Sequence, residues 1–170
     1  MKLKNQLNFM IAKKVLLVGN FGVGKTSLIR RFVLNEFSED YISTIGVRVS
    51  KKVVSYQNET IKLMIWDVAG TNGDEKIPKA YFLGAHAAMF VFDLSREETY
   101  LTIDKNLKMV RDLSGLKDIT IVGNKKDLLS ATEIDNVIQK VSVDIDLITS
   151  AKEGDYVEDA FMKLTAQALK

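Results

Sequence analysis

The sequence contains no cysteine, a single proline, and one histidine, His86. Without cysteine the chain cannot form disulfides, thiolate zinc sites or cysteine nucleophiles, and it has no residue for a cysteine-linked lipid. His86 stands at the start of an apolar run, far in sequence from the polar clusters described below, so we expect it to be packed or at the surface rather than catalytic. No apolar run reaches the ~18 residues of a membrane span, and the N-terminus lacks a signal-peptide pattern. We therefore expect a cytoplasmic protein.

The chain also lacks an excess of either charge, because its 24 Lys and Arg are nearly balanced by 22 Asp and Glu, which leaves a formal net charge of +2. This balance gives no electrostatic argument for a nucleic-acid partner, so none is expected. The apolar share of 46% is enough for one buried core. We expect a monomer with a single domain over residues 1–170.

Apolar runs alternate with amphipathic segments along the chain. This alternation predicts an α/β fold, a six-stranded, mostly parallel sheet with helices on both faces. Strands are expected at 15–19, 48–56, 61–67, 87–93, 119–124 and 143–149, the second and third as a hairpin, and helices at 25–35, 96–113 and 156–169. The face from about Arg96 to Arg111 carries both signs of charge and is expected to be solvated surface. Ligands of such sheets bind at the carboxyl ends of the strands.

A glycine-rich segment, GNFGVGKT from Gly19 to Thr26, fits the phosphate-loop pattern G-x-x-x-x-G-K-[ST] between a strand and a helix. Its backbone N–H groups and the helix N-terminus can bind phosphate oxygens. Lys25 can reach the β- and γ-phosphates, and the Thr26 hydroxyl can bind Mg²⁺. The alternative is a glycine-rich turn that matches by chance, at odds of roughly one in a hundred or less. Predicted phosphate contacts are Gly22, Val23, Gly24, Lys25, Thr26 and Ser27.

Two polar clusters follow the fifth and sixth predicted strands, Asn124-Lys125-Lys126-Asp127 and Thr149-Ser150-Ala151-Lys152. The Asp127 carboxylate accepts hydrogen bonds only, which suits the ring N–H and amino group of guanine and rejects the N1 acceptor of adenine. Asn124 can join the two loops, the Lys125 methylenes can lie along the base, and the Ala151 N–H can bond the base carbonyl. Ser150 and Lys152 complete the predicted base contacts. Alone, the first cluster would be read as a solvated turn; after a phosphate loop it favours a guanine nucleotide.

The metal ligands are expected from three separate segments. Asp67 begins Asp67-Val68-Ala69-Gly70 and can hold Mg²⁺ through a water, and the Gly70 N–H can bond a γ-phosphate. The Thr44 hydroxyl can complete the Mg²⁺ shell together with Thr26, although taken alone it would be an ordinary loop threonine. Loss of one phosphate should release Thr44 and Gly70, which describes an order–disorder switch.

With these motifs in order, residues of about 12–169 resemble the Ras superfamily of small GTPases, and most closely its Rab branch. The resemblance implies a phosphate-loop NTPase domain that binds GTP, GDP and Mg²⁺ and contacts effectors and regulators through two switch loops. It implies that Phe37 stacks edge-on against guanine and that Tyr41 contacts the nucleotide. It also implies that Trp66 and the aromatic at Tyr81 or Phe82 shape an effector surface. Hydrolysis would involve Lys25, Thr44, Gly70 and the residue at position 71.

Two positions depart from the family at the hydrolytic site. Thr71 stands where the family places the glutamine that orients water, and Phe21 stands where it prefers a small residue. The second switch also lacks the usual aromatic and arginine; Asp74 or Glu75 could position water instead. We therefore expect GTP binding with slow hydrolysis. The alternatives are a pseudo-GTPase that keeps its nucleotide and acts as an interaction module, and a phosphate-loop kinase or ATPase, which Asp127 disfavours.

The chain end differs from the family as well, since the last residues carry neither cysteine nor a polybasic run. The sequence therefore predicts no direct lipid anchor. Either a lipidated tail has been removed from the chain, or the protein works in the soluble phase or through a partner, and we favour the second interpretation.

Overall fold

A computed structural model of the chain describes residues 10–40, 43–70 and 76–170. In these ranges the elements are β1 (Ile11–Val18), α1 (Lys25–Leu34), β2 (Val47–Tyr56), β3 (Glu59–Val68), β4 (Ala87–Asp93), α2 (Ile103–Ser114), β5 (Thr120–Asn124), α3 (Ala131–Lys140), β6 (Leu147–Ile148) and α4 (Val157–Ala168). Short 3-10 turns lie at Lys79–Tyr81, Glu97–Thr99 and Lys126–Leu128.

The strands form one sheet in the order β2-β3-β1-β4-β5-β6. The β2–β3 pair is antiparallel and the other pairs are parallel. The hairpin turns at Gln57 and Asn58, both in the left-handed region at φ 47° and 68°. The predicted six-stranded, mostly parallel sheet with an early hairpin is therefore confirmed.

Side chains of the central strands alternate between two apolar layers. Val15 and Leu17 of β1 pack into a layer with residues of α1 and α4, such as Phe32 and Phe161. Leu16 and Val18 point into the opposite layer with residues of α2 and α3. Since successive side chains of a strand point to opposite faces, a strand that is buried along its whole length, such as β4, requires helices on both faces. The predicted helical cover on both faces is confirmed.

Two predicted elements are shorter than expected. The strand expected at 143–149 is reduced to Leu147–Ile148, because the Asp146 carboxylate accepts the Ile121 N–H at 2.7 Å in place of a ladder bond. The helix expected from about Arg96 begins only at Ile103. Before this helix, the Thr99 hydroxyl accepts the Asp93 N–H and donates to the Arg96 carbonyl. These side-chain bonds compete with the hydrogen bonds of a helix.

Helix α3, Ala131–Lys140, was not predicted. The sequence nevertheless contains a signal for its start, the Ser130-x-x-Glu133 spacing of a capping box. In the structure the Ser130 hydroxyl accepts the Glu133 N–H, and the Glu133 carboxylate accepts the Ser130 N–H. No helix within the described ranges is both long and apolar enough to cross a membrane.

Candidate functional site

A cleft of about 330 Å³ opens at the carboxyl ends of the strands. The loops after β1, β3 and β5 and the segment after β6 all contribute to its wall. The predicted site residues that line it are Gly22, Gly24, Lys25, Thr26, Ser27, Phe37, Thr44, Gly70, Asn124, Lys125, Asp127, Ala151 and Lys152. Residues from both ends of the chain therefore meet in one place, as the strand order requires.

Five predicted site residues need separate comment. Asp67 does not line the cleft and is described with the metal ligands below. Val23 and Ser150 do not line the cleft: the Val23 side chain is buried in the core, and Ser150 is fully buried behind Asp127. Each is bonded to a residue that lines the cleft, Val23 to Asn124 and Ser150 to Asp127, as described below. Tyr41 and Thr71 lie outside the described residues, as do Asp74 and Glu75.

The phosphate loop ends at Gly24, immediately before α1. Gly24 has φ 99°, which favours glycine, and a Cβ there would lie 2.3 Å from Nδ2 of Asn124. No side chain caps α1, so its first N–H groups are directed to the cleft, where an anion would bind them. The glycine thus lets the phosphate loop and the Asn124 loop touch.

Lys25 is buried, and its Nζ donates to the carbonyl oxygens of Gly19 at 2.9 Å and Asn20 at 3.0 Å. Burial lowers the pKa of Lys25 to about 8; the Asp67 carboxylate partly opposes this shift and the Arg96 guanidinium adds to it. The Lys25 side chain is held along the phosphate loop, where a bound phosphate group would favour its protonated, charged form.

The three predicted metal ligands converge. The Thr26 hydroxyl donates to Asp67 Oδ2 at 2.5 Å and lies 3.0 Å from the Thr44 hydroxyl, which is itself 3.1 Å from Asp67 Oδ2. Asp67 Oδ1 is the buried side-chain oxygen that lacks a hydrogen-bond partner among the described residues. One carboxylate and two hydroxyls with a spare oxygen fit Mg²⁺, which prefers oxygen ligands and shares its shell with water and phosphate.

Asn124 joins the loops at the opposite end of the cleft. Its Nδ2 donates to the Val23 carbonyl at 3.0 Å, and its Oδ1 accepts from the Thr149 hydroxyl at 3.1 Å and the Ala151 N–H at 3.2 Å. The amide is buried, and all of these bonds lie within the protein. The Ala151 N–H therefore already donates to Asn124 Oδ1, and a base carbonyl would have to accept a second, bifurcated hydrogen bond from the same N–H.

Asp127 and Lys125 are each held by a neighbour. The Ser150 hydroxyl donates to Asp127 Oδ1 at 2.6 Å, which leaves Oδ2 to accept hydrogen bonds from a ligand. The Lys125 Nζ lies 2.7 Å from Oδ2 of Asp93, a fully buried carboxylate. Burial alone would raise the pKa of Asp93, but the hydrogen bonds from Lys125 and Ser95 outweigh burial and hold that pKa below its ordinary value.

Arg96 is not solvated surface, contrary to the sequence-based expectation. Its Nε donates to Asp93 Oδ2 at 3.0 Å and its Nη2 donates to the Phe21 carbonyl at 2.7 Å, because the 3-10 turn after β4 directs the side chain back to the phosphate loop. Sequence analysis also missed Asp93 and Arg31. Arg31 donates to the carbonyls of Ala151 at 2.9 Å and Lys152 at 2.6 Å and so holds that loop.

A usable signal existed for one of these residues only. Asp93 ends the otherwise apolar run Ala87–Asp93, and a carboxylate at the carboxyl end of a buried strand marks a site position. His86, in contrast, is exposed, and its Nδ1 accepts the Lys14 N–H at 3.1 Å, away from the cleft.

Residues 37–40 line the cleft on the side of the Ala151 loop. Phe37 is half-buried and packs against the core while it lines the cleft. Beyond it, Glu39 pairs with Lys152 at 3.2 Å, across the mouth of the cleft. This exposed pair contributes little stability, but it places the segment next to the Ala151 loop.

Comparison with known proteins identifies the class. The model of the Ras family matches residues 14–170. Ras-related protein Rab-25 of Canis lupus familiaris is 40% identical over 153 residues, 87% of this chain and 72% of that protein. The Homo sapiens and Oryctolagus cuniculus proteins of the same name are each 39% identical with the same coverage.

The chain belongs to the Ras family, and within the Ras superfamily it is a Rab-like small GTPase. Proteins of this class bind guanine nucleotides and act as nucleotide-dependent switches toward effectors and regulators. The predicted resemblance is confirmed, and residues of the motifs that carried it line the cleft.

Proposed function

We propose that this chain binds GTP and GDP with Mg²⁺, switches between two states and hydrolyses GTP slowly. The observation that carries the proposal is that the phosphate loop and Asp127 line one cleft, with the buried Asp67 carboxylate bonded to Thr26 of its wall. Each of these groups serves a different part of one ligand: phosphates, metal and base.

Base selection would come from Asp127. With Oδ1 engaged by Ser150, the carboxylate is fixed in orientation and presents acceptors only. Guanine matches acceptors with its N1–H and amino group, whereas adenine would leave its N1 and the carboxylate both unpaired, which is the strong kind of discrimination. The side chains of Phe37 and Lys125 would flank the base.

The phosphate and metal end would supply the switch. Thr26 and Asp67 belong to rigid elements, whereas Thr44 and Gly70 belong to loops. When bound, Mg²⁺ would neutralise charge on the β- and γ-phosphates, with Thr26, Thr44 and Asp67 as its protein-side neighbours. Thr44 and Gly70 would reach their full set of partners only with a triphosphate, so loss of one phosphate would release both loops.

Slow hydrolysis follows from Phe21 and Thr71. The threonine side chain is too short to orient water where the family's glutamine does, and the phenyl ring at position 21 would compete with water or with an incoming arginine. An arginine supplied by an activating protein is worth about 10³–10⁵ in rate, or ~4–7 kcal/mol of barrier. A protein that excludes this arginine keeps its GTP for long periods.

The same two residues favour a second candidate, a pseudo-GTPase that keeps its nucleotide as a structural part and works as an interaction module. The intact Thr44, Asp67 and Gly70 favour the switch, because a permanent nucleotide would not require loop contacts that depend on the γ-phosphate. Exchange of the bound nucleotide against labelled GDP separates the two candidates.

The first test is mass spectrometry of the nucleotide released from freshly purified protein. We expect GDP or GTP at close to one per chain. Adenine nucleotides in equal amount, or no nucleotide together with no uptake of GDP, would contradict the proposal.

The second test is single-turnover GTP hydrolysis. The double variant Phe21→Gly, Thr71→Gln should hydrolyse GTP at least tenfold faster than the wild type. Thr71→Asn is the matched control, since it adds an amide on a chain too short to reach the water. A wild-type rate equal to that of a Rab protein measured in parallel would contradict slow hydrolysis.

The proposal also includes a monomeric, cytoplasmic protein that contacts effector and regulator proteins through its two switch loops. Light scattering after gel filtration tests the monomer, with and without bound nucleotide.

A further inference from the structure

We propose that Asp93 is a positioning residue that anchors the base wall and the phosphate loop to one carboxylate, through Lys125 on one side and Arg96 on the other. The inference rests on the proposed binding of guanine nucleotide and concerns a residue behind the cleft rather than in its wall.

The Asp93 carboxylate is completely buried and fully occupied. Oδ2 accepts from Lys125 Nζ at 2.7 Å and from Arg96 Nε at 3.0 Å, while Oδ1 accepts the Ser95 N–H at 2.9 Å and the Ser95 hydroxyl at 2.6 Å. A buried charge with four donors is held in one orientation, since losing any donor leaves it under-satisfied. Both cations contact Oδ2, so one oxygen anchors two side chains.

Lys125 forms the arm toward the base. Asp93 and Asn124 are register partners at the ends of β4 and β5, and Lys125 follows directly in the left-handed region at φ 69°. Its ammonium is fixed at Asp93, while Lys125 also lines the cleft. The carboxylate therefore fixes the Lys125 ammonium group, and the methylene groups of the side chain are left to lie flat against a base.

Arg96 forms the arm toward the phosphates. Its guanidinium uses Nε for Asp93 and Nη2 for the Phe21 carbonyl at 2.7 Å, a fork that a single ammonium cannot reproduce. A Cβ on Gly22 would lie 3.6 Å from Arg96 Nη2, so the guanidinium packs directly on the phosphate loop. Arg96 does not line the cleft, and its effect on a phosphate has to pass through the loop backbone.

One carboxylate thus sets the position of two nucleotide-binding segments that come from different strands. Removing its charge should loosen both, whereas removing Arg96 should loosen the phosphate loop alone. Because Arg96 acts through Asp93, its contribution should largely disappear once Asp93 is neutral.

The experiment measures release of fluorescent N-methylanthraniloyl GDP from the full chain in Mg²⁺. Asp93→Asn, nearly isosteric but uncharged, should speed release by about tenfold or more. Asp146→Asn is the matched control: Asp146 also accepts a strand N–H, from Ile121, and pairs with a lysine, Lys163, but lies outside the cleft. It should lower the thermal midpoint while leaving release within about twofold of the wild type.

Variants of the half-exposed Arg96 keep the test informative if Asp93→Asn folds poorly. Arg96→Ala should speed release several-fold, Arg96→Lys should fall between it and the wild type, and Arg96→Ala should add less than about twofold to Asp93→Asn. Wild-type release in Asp93→Asn, wild-type release in Arg96→Ala, or fully additive effects would overturn this inference while leaving the proposed function intact. Failure of the wild type to bind GDP would overturn both.

Discussion

Gly70 lies directly against the peptide that joins Asn20 to Phe21. A Cβ on Gly70 would come within 2.5 Å of the Phe21 nitrogen and 2.6 Å of the Asn20 carbonyl oxygen. The start of the second switch therefore touches the tip of the phosphate loop, and only a residue without a side chain permits this approach. In the proposed nucleotide complex, this contact would bring the Gly70 N–H to the γ-phosphate.

The Gly70→Ala substitution should separate GTP from GDP binding. The added methyl group must push the segment away from the phosphate loop, which costs the proposed bond to the γ-phosphate and leaves GDP contacts in place. We expect release of a non-hydrolysable GTP analogue to speed up by about tenfold or more and GDP release by less than about twofold. Equal effects on both nucleotides would contradict the role given to Gly70.

Gly84→Ala provides the matched control. Gly84 is another glycine, with a left-handed backbone at φ 70°, but a Cβ there meets nothing within 4 Å. It should cost stability of the order of 1 kcal/mol and leave the ratio of the two release rates unchanged.

Asp67→Asn should remove the response to Mg²⁺. Asp67 Oδ1 is buried and has no hydrogen-bond partner in the part of the chain that the structure describes, as a metal-shell oxygen would, and an amide cannot replace its charge. Chelation with EDTA should speed GDP release from the wild type by about tenfold or more; the variant should release quickly with or without EDTA. The surface variant Asp112→Asn, at the Lys108 pair, should keep the wild-type response. An EDTA response that persists in Asp67→Asn would remove Asp67 from the metal site.

Affinity for GDP should fall as the pH rises above about 8, the pKa of Lys25 in the nucleotide-free protein. Phosphate favours the ammonium, so the bound lysine has the higher pKa and binding takes up a proton at pH values above the free pKa. Below that pKa Lys25 is charged in both states and contributes no pH dependence; above it, affinity should decline by up to about tenfold per pH unit. Titrations from about pH 7 to about pH 9.5 measure the slope, which Lys25→Met should lack. A flat wild-type profile would show that the free lysine is already charged throughout.

Asp127→Asn should redirect the base preference. The amide presents a donor where the carboxylate has an acceptor, so it opposes the guanine amino group and suits the C2 carbonyl of xanthine. We expect GDP affinity to fall by about a hundredfold or more and xanthosine diphosphate to become the better ligand, as read by competition against a labelled nucleotide. Asp155→Asn, a nearby carboxylate paired with Lys126, should leave the preference unchanged. Retained GDP preference in Asp127→Asn would mean that another group reads the base.

The site could be predicted from the sequence where chemistry and spacing are local. The phosphate loop needs its glycines and Lys25 within eight consecutive residues, and Asn124 and Asp127 stand three apart, so both patterns are visible in one dimension. Strand ends then place such segments together, because parallel strands share one carboxyl edge.

Contacts that depend on three dimensions could not be read in this way. Arg96 looked like an exposed helical residue, and only the turn set by Thr99 returns it to Phe21. Asp146 shortened the sixth strand by a side-chain bond that hydrophobic periodicity does not encode. Helix α3 is a different case, because its Ser130–Glu133 capping box and the helical spacing of Ile134, Val137 and Ile138 were both present in the sequence.

The most direct test of the account is equilibrium competition for labelled GDP on the wild-type chain in Mg²⁺, with unlabelled GDP and ADP as competitors. A carboxylate that reads guanine and leaves adenine unpaired should make ADP weaker than GDP by about 10⁴-fold or more. Displacement by ADP at the same concentrations as GDP would contradict guanine recognition and, with it, the assignment of the cleft.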